Sequence, residues 1–388
     1  MRPEVDKLGV VIAFIAGATL PLAPFAVLKP NRILQGQAKS ILEALPPWSG
    51  WALAALILAA VVIALLRTKP SVRLIAAAIV LIAILTAIGL SATFLTPAGN
   101  TYARVSPASG FWLLLFSFAL LAADAIARLS PPPWLRLVFL AVAGVVLAVF
   151  LMSGLWSGLS IMKEFSGRAD VFWAEATKHV MLALGSLVAA TIVGLPLGIV
   201  CHRVPAMRDA VLNTLNLVQT IPSIALFGIL IAPLAWIAAT VPGAAAIGIR
   251  GIGLAPAFVA LFLYSLLPVV SNTVVGLAGV PRDANDAARG IGMTDRQRLF
   301  QVELPLALPV ILTGIRIVLV QNIGLATIAA LIGGGGFGVF VFQGIGQTAM
   351  DLVLLGAVPT VALAFASAVI LDALIDMNTT TNSRVEPA

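Results

Sequence analysis

Residues that could do covalent chemistry are few in this chain, and their spacing does not suit catalysis. His179 and His202 lie at opposite ends of one apolar run and cannot share a metal, and Cys201 is the only cysteine, which excludes an internal disulfide. The sequence has no GxxxxGK[ST] phosphate loop, no HExxH and no GxSxG. These observations predict no catalytic residue, no metal site and no cofactor bound by this chain, which is not expected to hydrolyse ATP by itself.

The segment 286–305, DAARGIGMTDRQRLFQVELP, is suited to conformational rather than covalent work. It carries six charged residues, whereas the stretches on both sides are almost without charge. Asp283 can cap a first short helix. In that helix, small and apolar residues follow i, i+3, i+4, i+7 spacing and form a face that can lie close to a partner, namely Ala284, Ala287, Ala288 and Ile291.

A glycine hinge follows this first helix. Gly290 and Gly292 supply backbone freedom, and residues 294–297, TDRQ, match a capping box that starts a second short helix. Pro305 stands where we expect the chain to turn back into the membrane. The alternative is an ordinary solvated loop between two membrane spans.

Composition identifies the surroundings in which this segment lies. Of the 388 residues, 61% are hydrophobic and 10% are charged, and the mean hydropathy is +1.09, far outside the range of soluble domains. An all-α integral membrane protein is predicted, because the apolar runs are too continuous for the alternating strands of a barrel. About ten transmembrane helices can be drawn, near 9–28, 48–66, 74–95, 110–127, 137–158, 179–201, 210–236, 254–279, 306–332 and 352–375.

Basic residues orient these spans. With the N-terminus inside the cell, fourteen Lys and Arg fall on the inner loops and ends and eight on the outer ones, which predicts that both termini are cytoplasmic. Basic inner loops also account for the formal charge of +7. We therefore expect membrane lipid, and no nucleic acid, around this chain.

The chain divides into two parts with different polarity. Residues 1–158 hold five plain spans and are predicted to be an accessory region, and residues 159–178 form a charged outer connector. The working half is expected at 179–378, with the segment 282–305 inside it, followed by a polar tail at 379–388.

Polar residues within the spans of the second half are candidates for the wall of a translocation pathway. Asn213, Asn216, Thr220 and Ser223 share one face if 210–236 is a single helix, with Gln219 beside them and Pro222 available as a kink. Asn272, Gln321 and Asn322 are further candidates. The alternative is interhelical hydrogen bonding, the usual role of polar residues in membrane helices.

Ionisable residues within the spans, and one glycine run, have other interpretations. Asp124, Arg316 and Asp372 lie near the inner surface, and Arg128 is a helical mate for Asp124. No midplane carboxylate is left for a proton relay, which disfavours a proton-driven carrier.

The run IGGGGFG at 332–338 follows a span rather than a strand, so we expect a flexible outer turn near the mouth of the pathway and not a dinucleotide site.

The charged segment is similar to the cytoplasmic coupling motif of bacterial ABC-importer permeases. That motif is Glu-Ala-Ala, three residues, Gly, nine residues, Ile-x-Leu-Pro, and this chain has Asp for Glu and Val for Ile at two of its positions. In that family the segment docks into a groove of a separate ATPase. The resemblance assigns ATPase coupling to Asp286, Ala287, Ala288, Gly290, Gly292, Met293, Val302, Leu304 and Pro305.

Several blocks between about 179 and 376 resemble a narrower group, the osmoprotectant permeases. They include NTLNLVQTIPSIALFGILI at 213–231, ALFLYSLLPVVSNTVVGL at 260–277 and the stretch 302–338. Residues 1–158 lie outside this core, as in the longer permeases of such systems. The resemblance implies import of a quaternary ammonium compound such as glycine betaine, choline or carnitine.

The family implies an assembly in the bacterial inner membrane. A second permease chain, identical or related, would pair with two cytoplasmic ATPase subunits that bind ATP and Mg, and an extracytoplasmic binding protein would deliver substrate. The rival within transport is a permease for an amino acid or another small zwitterion. Rivals of other classes are an ion-coupled secondary carrier, a membrane scaffold and an enzyme.

Overall fold

The computed structural model describes residues 6–31, 34–96, 99–100 and 102–383. The described residues do not include 384–388 of the predicted tail. They also do not include three of the basic residues that were counted to orient the spans, namely Arg2, Arg32 and Arg384. Within the described part, nine helices are long and apolar enough to cross a membrane, and Lys7–Leu22 is a shorter apolar helix. The prediction of an all-α membrane protein with about ten spans is confirmed. The chain forms two compact units, and the boundary between them lies between Gly167 and Arg168.

The first unit is a helical bundle with an apolar core. The core is built from Leu, Ile, Ala, Val and Phe side chains of the helices α1, α3, α4 and α5, which pack on one another. The helices of this unit are α1 Lys7–Leu22, α2 Ile41–Ala44, α3 Pro47–Leu65, α4 Pro70–Leu95, α5 Ser109–Leu129, α6 Pro133–Met152 and α7 Ser160–Ser166.

A small antiparallel sheet, which was not predicted, lies at one end of this bundle. Its strands are β1 (Ala26–Lys29), β2 (Gln37–Lys39) and β3 (Arg104–Pro107), in the order β2-β1-β3. The predicted first span at 9–28 was therefore wrong at its end. Proline explains the difference, because Pro24 drives the preceding residue, Ala23, to extended backbone, and the chain then leaves the helix for β1.

α1 has only 16 residues and packs along α5. At one end Arg128 Nη2 lies 2.9 Å from Asp6 Oδ2, and at the other the Gly110 amide donates to the Pro24 carbonyl at 2.8 Å. α1 and α5 are therefore antiparallel neighbours in the bundle.

The second unit holds the predicted working half. The connector predicted at 159–178 is itself helical, since α7 and the first turns of α8 occupy it. The helices of this unit are α8 Ala169–Arg203, α9 Pro205–Thr220, α10 Ser223–Ile229, α11 Ile231–Thr240, α12 Leu254–Ala278, α13 Arg282–Gly290, α14 Asp295–Arg298, α15 Leu304–Ala326, α16 Gly338–Gly346 and α17 Met350–Ser383, with a π-helical turn at Leu299–Glu303 and a 3-10 turn at Ile328–Ile332.

Three long helices, α8, α12 and α15, form the centre of this unit. They approach closely at glycine: a Cβ on Gly198 would lie 2.5 Å from Thr273 Cβ, and one on Gly314 would lie 2.7 Å from Asn272 Cβ. Small residues at such contacts are typical of membrane helix packing. We call the end where α8 ends and α15 begins the coupling end, and the opposite end the turn end.

Candidate functional site

The predicted coupling segment forms two short helices with a bend between them. α13 ends at Gly290, and α14 begins at Asp295. Gly292 between them has φ of +83°, in the left-handed region that a residue with a Cβ adopts only at a cost. The structure thus has the two helices and the glycine bend that the spacing predicted.

The starts of the two helices differ in how well they were predicted. Thr294 caps α14 as expected: its Oγ1 accepts from the Gln297 amide at 3.3 Å, and its own amide donates to Gln297 Oε1 at 2.9 Å. The predicted cap at Asp283 was wrong, because α13 begins at Arg282 after Pro281. Asp283 lies instead in the first turn of α13, where its carboxylate interacts favourably with the positive end of the helix dipole.

Pro305 does not turn the chain. α14, the π-helical turn and α15 follow without a break, and the Leu304 amide bonds to the Leu299 carbonyl five residues back. Pro305 directly follows the π-helical turn, where the hydrogen-bonding register of the helix changes. The bend of the segment therefore lies at Gly292, between α13 and α14, and Leu304 and Pro305 belong to one continuous helix.

The coupling segment buries one side of α13 and exposes the other. α13 packs against the π-helical turn and buries Ala288, which is 4% exposed. Ile291 and Phe300 are 80% and 58% exposed, so the segment leaves two large apolar side chains uncovered in the single chain. Of the other predicted coupling residues, Asp286, Ala287, Gly290, Gly292 and Pro305 are exposed, and Met293, Val302 and Leu304 are half-buried.

A chain of ion pairs fixes this segment to α8, and the sequence did not reveal it. Glu303 Oε2 lies 2.6 Å from Arg203 Nη2, and Glu303 Oε1 lies 3.1 Å from Arg298 Nε. Arg298 also pairs with Asp295 at 2.8 Å. We call Arg203, Arg298 and Glu303 the Glu303 bridge. Arg298 and Glu303 are buried, so both charges depend on these partners.

The predicted strip of pathway residues is split in two. Residues 210–236 were expected to form one helix, but α9 ends at Thr220 and a new helix begins at Ser223. Pro222 is the reason, because the residue before a proline is driven to extended backbone, and Ile221 has φ of −69° and ψ of 125°. The Tyr264 hydroxyl donates to the freed carbonyl of Ile221.

The residues of the strip therefore have different surroundings. Asn213, Asn216 and Thr220 are exposed on α9. Gln219 is half-buried and donates to the Tyr264 carbonyl at 2.8 Å. Ser223 is half-buried and starts α10, so it does not continue the face of α9.

Asn322 joins the three central helices. It is 0% exposed, and its Nδ2 lies 2.9 Å from Ser186 Oγ on α8 and 2.9 Å from Ser265 Oγ on α12. This is the interhelical alternative considered for the polar residues. Asn272 bonds within its own helix to the Pro268 carbonyl at 2.8 Å, and Gln321 is half-buried on α15.

The glycine run forms a turn held by the first part of α8. The Gly336 amide donates to Glu175 Oε2 at 2.6 Å, and the Phe337 amide donates to His179 Nδ1 at 3.4 Å. Lys178 Nζ lies 2.7 Å from Glu175 Oε1. The turn was expected to be flexible; in the structure, side chains of α8 tie it down at the turn end.

The remaining ionisable groups of the spans are paired. Arg316 of α15 pairs with Asp372 of α17 at 2.5 Å. Asp124 pairs with its predicted mate Arg128 at 2.9 Å. Among the described residues, no three His, Cys, Asp or Glu side chains are grouped so that they could hold a metal ion.

Two protein families match separate parts of this chain. Residues 6–162 match the family described as "ABC transporter permease YehY, N-terminal domain". Residues 190–379 match the family described as "Binding-protein-dependent transport system inner membrane component".

Curated relatives match the second half at substantial identity. "Osmoprotectant import permease protein OsmW" of Salmonella typhimurium is 43% identical over 198 residues, which cover 51% of this chain and 85% of OsmW. OsmY of the same organism, with the same description, is 39% identical over 235 residues, 60% of this chain and 89% of OsmY. "Glycine betaine/carnitine/choline transport system permease protein OpuCB" of Bacillus subtilis is 38% identical over 187 residues, which cover 48% of this chain and 79% of OpuCB.

The second family match covers the coupling segment, α12, α15 and the part of α8 from residue 190 onward, and the matches confirm the family predicted from the motif. The chain belongs to the binding-protein-dependent transport system inner membrane components, and it is a multi-pass permease of the ABC-importer class.

Proposed function

We propose that this chain is the membrane-spanning subunit of an ATP-driven importer for a small quaternary ammonium osmoprotectant such as glycine betaine, choline or carnitine. The substrate class is supported by the names of the relatives, which share up to 43% of residues with the second half. The mechanism is supported by the chain itself, whose coupling segment has a conformational and not a catalytic design.

The observation that carries the proposal is the geometry of the coupling segment. Ala288 is buried while Ala287 next to it is exposed, and the bend at Gly292 has a backbone conformation suited to glycine. The Glu303 bridge holds the base of the segment against α8. A rigid, small-residue surface with exposed Ile291 and Phe300 suits docking to a second protein better than it suits a solvated loop.

The proposed partners follow from what this chain does not supply. Cytoplasmic ATPase subunits bind ATP and Mg and dock on the coupling segment, so the coupling end and both termini face the cytoplasm. A second permease chain completes the pathway, with Asn213, Asn216 and Thr220 of α9 facing it, since these polar groups are exposed in the single chain. A binding protein delivers substrate at the turn end, in the inner membrane of a bacterium.

Uptake into reconstituted vesicles tests the proposal. The permease is reconstituted with its ATPase and binding protein, and uptake of glycine betaine, choline and carnitine is compared with that of amino acids, with and without ATP. Uptake of a quaternary ammonium compound that requires ATP is expected. Preferred uptake of an amino acid would contradict the substrate class, and uptake driven by an imposed ion gradient without ATP would contradict the mechanism.

A further inference from the structure

One carboxylate connects the coupling segment with the longest helix of the second unit. Glu303 lies at the base of the segment, and its two oxygens contact guanidinium groups on different elements, Arg298 at the end of α14 and Arg203 at the end of α8. Charge-assisted hydrogen bonds of this kind are stronger than neutral ones. The Glu303 bridge therefore joins the two elements through a buried Glu303 and an Arg203 side chain that is 36% exposed.

The π-helical turn is what makes this bridge possible. In an α-helix, residues five apart point in different directions, because one turn takes 3.6 residues. The π-helical turn bonds residues five apart, as between Leu304 and Leu299, and so brings Arg298 and Glu303 to the same side. Glu303 can then accept from Arg298 with one oxygen and from Arg203 with the other.

The other end of α8 holds the glycine turn. Glu175 accepts from the Gly336 amide at 2.6 Å, and Glu175 and Arg203 belong to one helix, Ala169–Arg203, which contains Pro196. The separation of these two residues along the helix is about 42 Å at 1.5 Å per residue. The same helix thus makes ionic or hydrogen-bonded contacts at both ends of the unit, one with the coupling segment and one with the turn.

We propose that α8 transmits movement of the coupling segment to the glycine turn, with Arg203 and Glu303 as positioning residues at one end and Glu175 at the other. Resting on the proposed function, this inference adds the route by which ATPase docking changes the far side of the permease. Displacement of α14 pulls Arg203 through Glu303, and α8 carries the displacement to Gly336 because its backbone is helical throughout, although Pro196 removes one of its hydrogen bonds. The turn is the element that responds at the turn end.

The first test removes only the arm of the bridge on α8. R203Q leaves Glu303 paired with Arg298, so the coupling segment keeps its own ion pair, and R203K restores a charge that can reach Glu303. R208Q is the matched control, since Arg208 is an exposed arginine five residues along the chain. The complex of each variant with its ATPase and binding protein is assayed for assembly, ATP hydrolysis and uptake.

We expect R203Q to assemble and hydrolyse ATP within about twofold of wild type while its uptake falls at least about tenfold, the loss expected when a hydrogen bond to a charged group is removed. R203K and R208Q are expected to retain most of the uptake. A merely structural role would lower hydrolysis and uptake together. Parallel loss of both activities, failure of R203Q to assemble, or wild-type uptake in R203Q would overturn the inference.

The second test reads movement at the turn itself. Leu331 precedes the glycine turn and is 48% exposed. In a Cys201→Ser background, the rate at which a thiol reagent labels L331C is measured with and without a non-hydrolysable ATP analogue. We expect the analogue to change this rate several-fold in the otherwise wild-type complex and to have no effect when R203Q is added. Equal changes with and without R203Q would overturn the inference alone, whereas a wild-type complex without ATP-driven uptake would overturn the proposed function and the inference together.

Discussion

The Gly336 amide donates a hydrogen bond of 2.6 Å to Glu175 Oε2, a contact between residues 161 positions apart. The neighbouring Gly335 has φ of +76°, and a Cβ there would lie 2.5 Å from the same oxygen. The glycines of this turn are therefore required by close approach to α8 as well as by backbone conformation.

Gly335→Ala is expected to displace the turn from Glu175 and to lower ATP-driven uptake several-fold. Both the positive φ and the contact with Glu175 oppose the new Cβ. Gly324→Ala on α15 is the matched control, because its φ is not positive and nothing lies within 4 Å of a Cβ there. Uptake in reconstituted vesicles is the measurement, and equal uptake by the two variants would mean that the contact has no role in transport.

Gly292→Ala is expected to weaken coupling without preventing membrane insertion. Nothing lies within 4 Å of an added Cβ, so the cost comes from φ of +83° alone and is about 1–2 kcal/mol. Gly144→Ala isolates this effect, since it too adds a Cβ in open space but at a helical position of α6, outside the coupling segment. Substrate-stimulated ATP hydrolysis should fall in the first variant and not in the second. Similar hydrolysis in both would show that the bend does not set the docking geometry.

Asn322→Ala is expected to lower stability rather than change substrate preference. Its amide lies 2.9 Å from two serines on neighbouring helices, and losing these hydrogen bonds in a membrane helix bundle costs about 1–2 kcal/mol. Asn213→Ala, on an exposed face, should leave stability unchanged and alter uptake. Melting in detergent and uptake are measured for both variants. The reverse pattern would assign Asn322 to the pathway and Asn213 to the fold.

Asp6→Asn is expected to destabilise the first unit. Asp6 pairs with Arg73 at 3.0 Å and with Arg128 at 2.9 Å, and the Arg73 side chain is 1% exposed. Removing the carboxylate leaves the buried Arg73 guanidinium with Asp124, at 3.7 Å, as a remaining ionic partner. We expect this to lower the free energy of unfolding by about 3 kcal/mol. Asp209→Asn, at an exposed carboxylate, is the control and should melt like the wild type.

The same residue makes the stability of the chain depend on pH. The hydrogen bond from Arg73, against the opposing effect of burial, holds the pKa of Asp6 well below its usual range. The stabilisation is therefore complete above the ordinary aspartate pKa of about 3.9 and is lost as the pH falls below it. Wild-type melting temperature should drop below about pH 4, and this contribution should be missing from Asp6→Asn. Identical pH profiles for the two proteins would contradict this role of Asp6.

Local sequence signals predicted the local structure of the coupling segment well. The capping box at Thr294 and Gln297 depends on residues three apart, and the bend depends on one glycine, so both can be read from the chain directly. Long apolar runs likewise predicted the spans. Proline limited this success: Pro24 and Pro222 ended helices that hydrophobicity alone would have continued.

Contacts between distant residues could not be predicted in the same way. Arg203 and Glu303 are 100 positions apart, and each is unremarkable among the charges near the ends of spans. Their meeting depends on the packing of α8 against α15 and on a π-helical turn that no local pattern announced. For the same reason, Asn322 could be selected as a polar residue within a span, but its partners Ser186 and Ser265 could not.

Protection of Ala287 by the ATPase tests the central claim most directly. In a Cys201→Ser background, A287C places a thiol on the exposed side of α13, and K69C places one at an exposed position of the first unit as a control. Labelling by a thiol reagent is timed with the permease alone and with its ATPase bound. If the coupling segment is the docking site, binding should slow labelling of A287C at least about tenfold and leave that of K69C unchanged, since a docked interface excludes solvent. Unchanged labelling of A287C in a complex that still carries out ATP-driven uptake would contradict the assignment of residues 282–305 as the site where the ATPase acts.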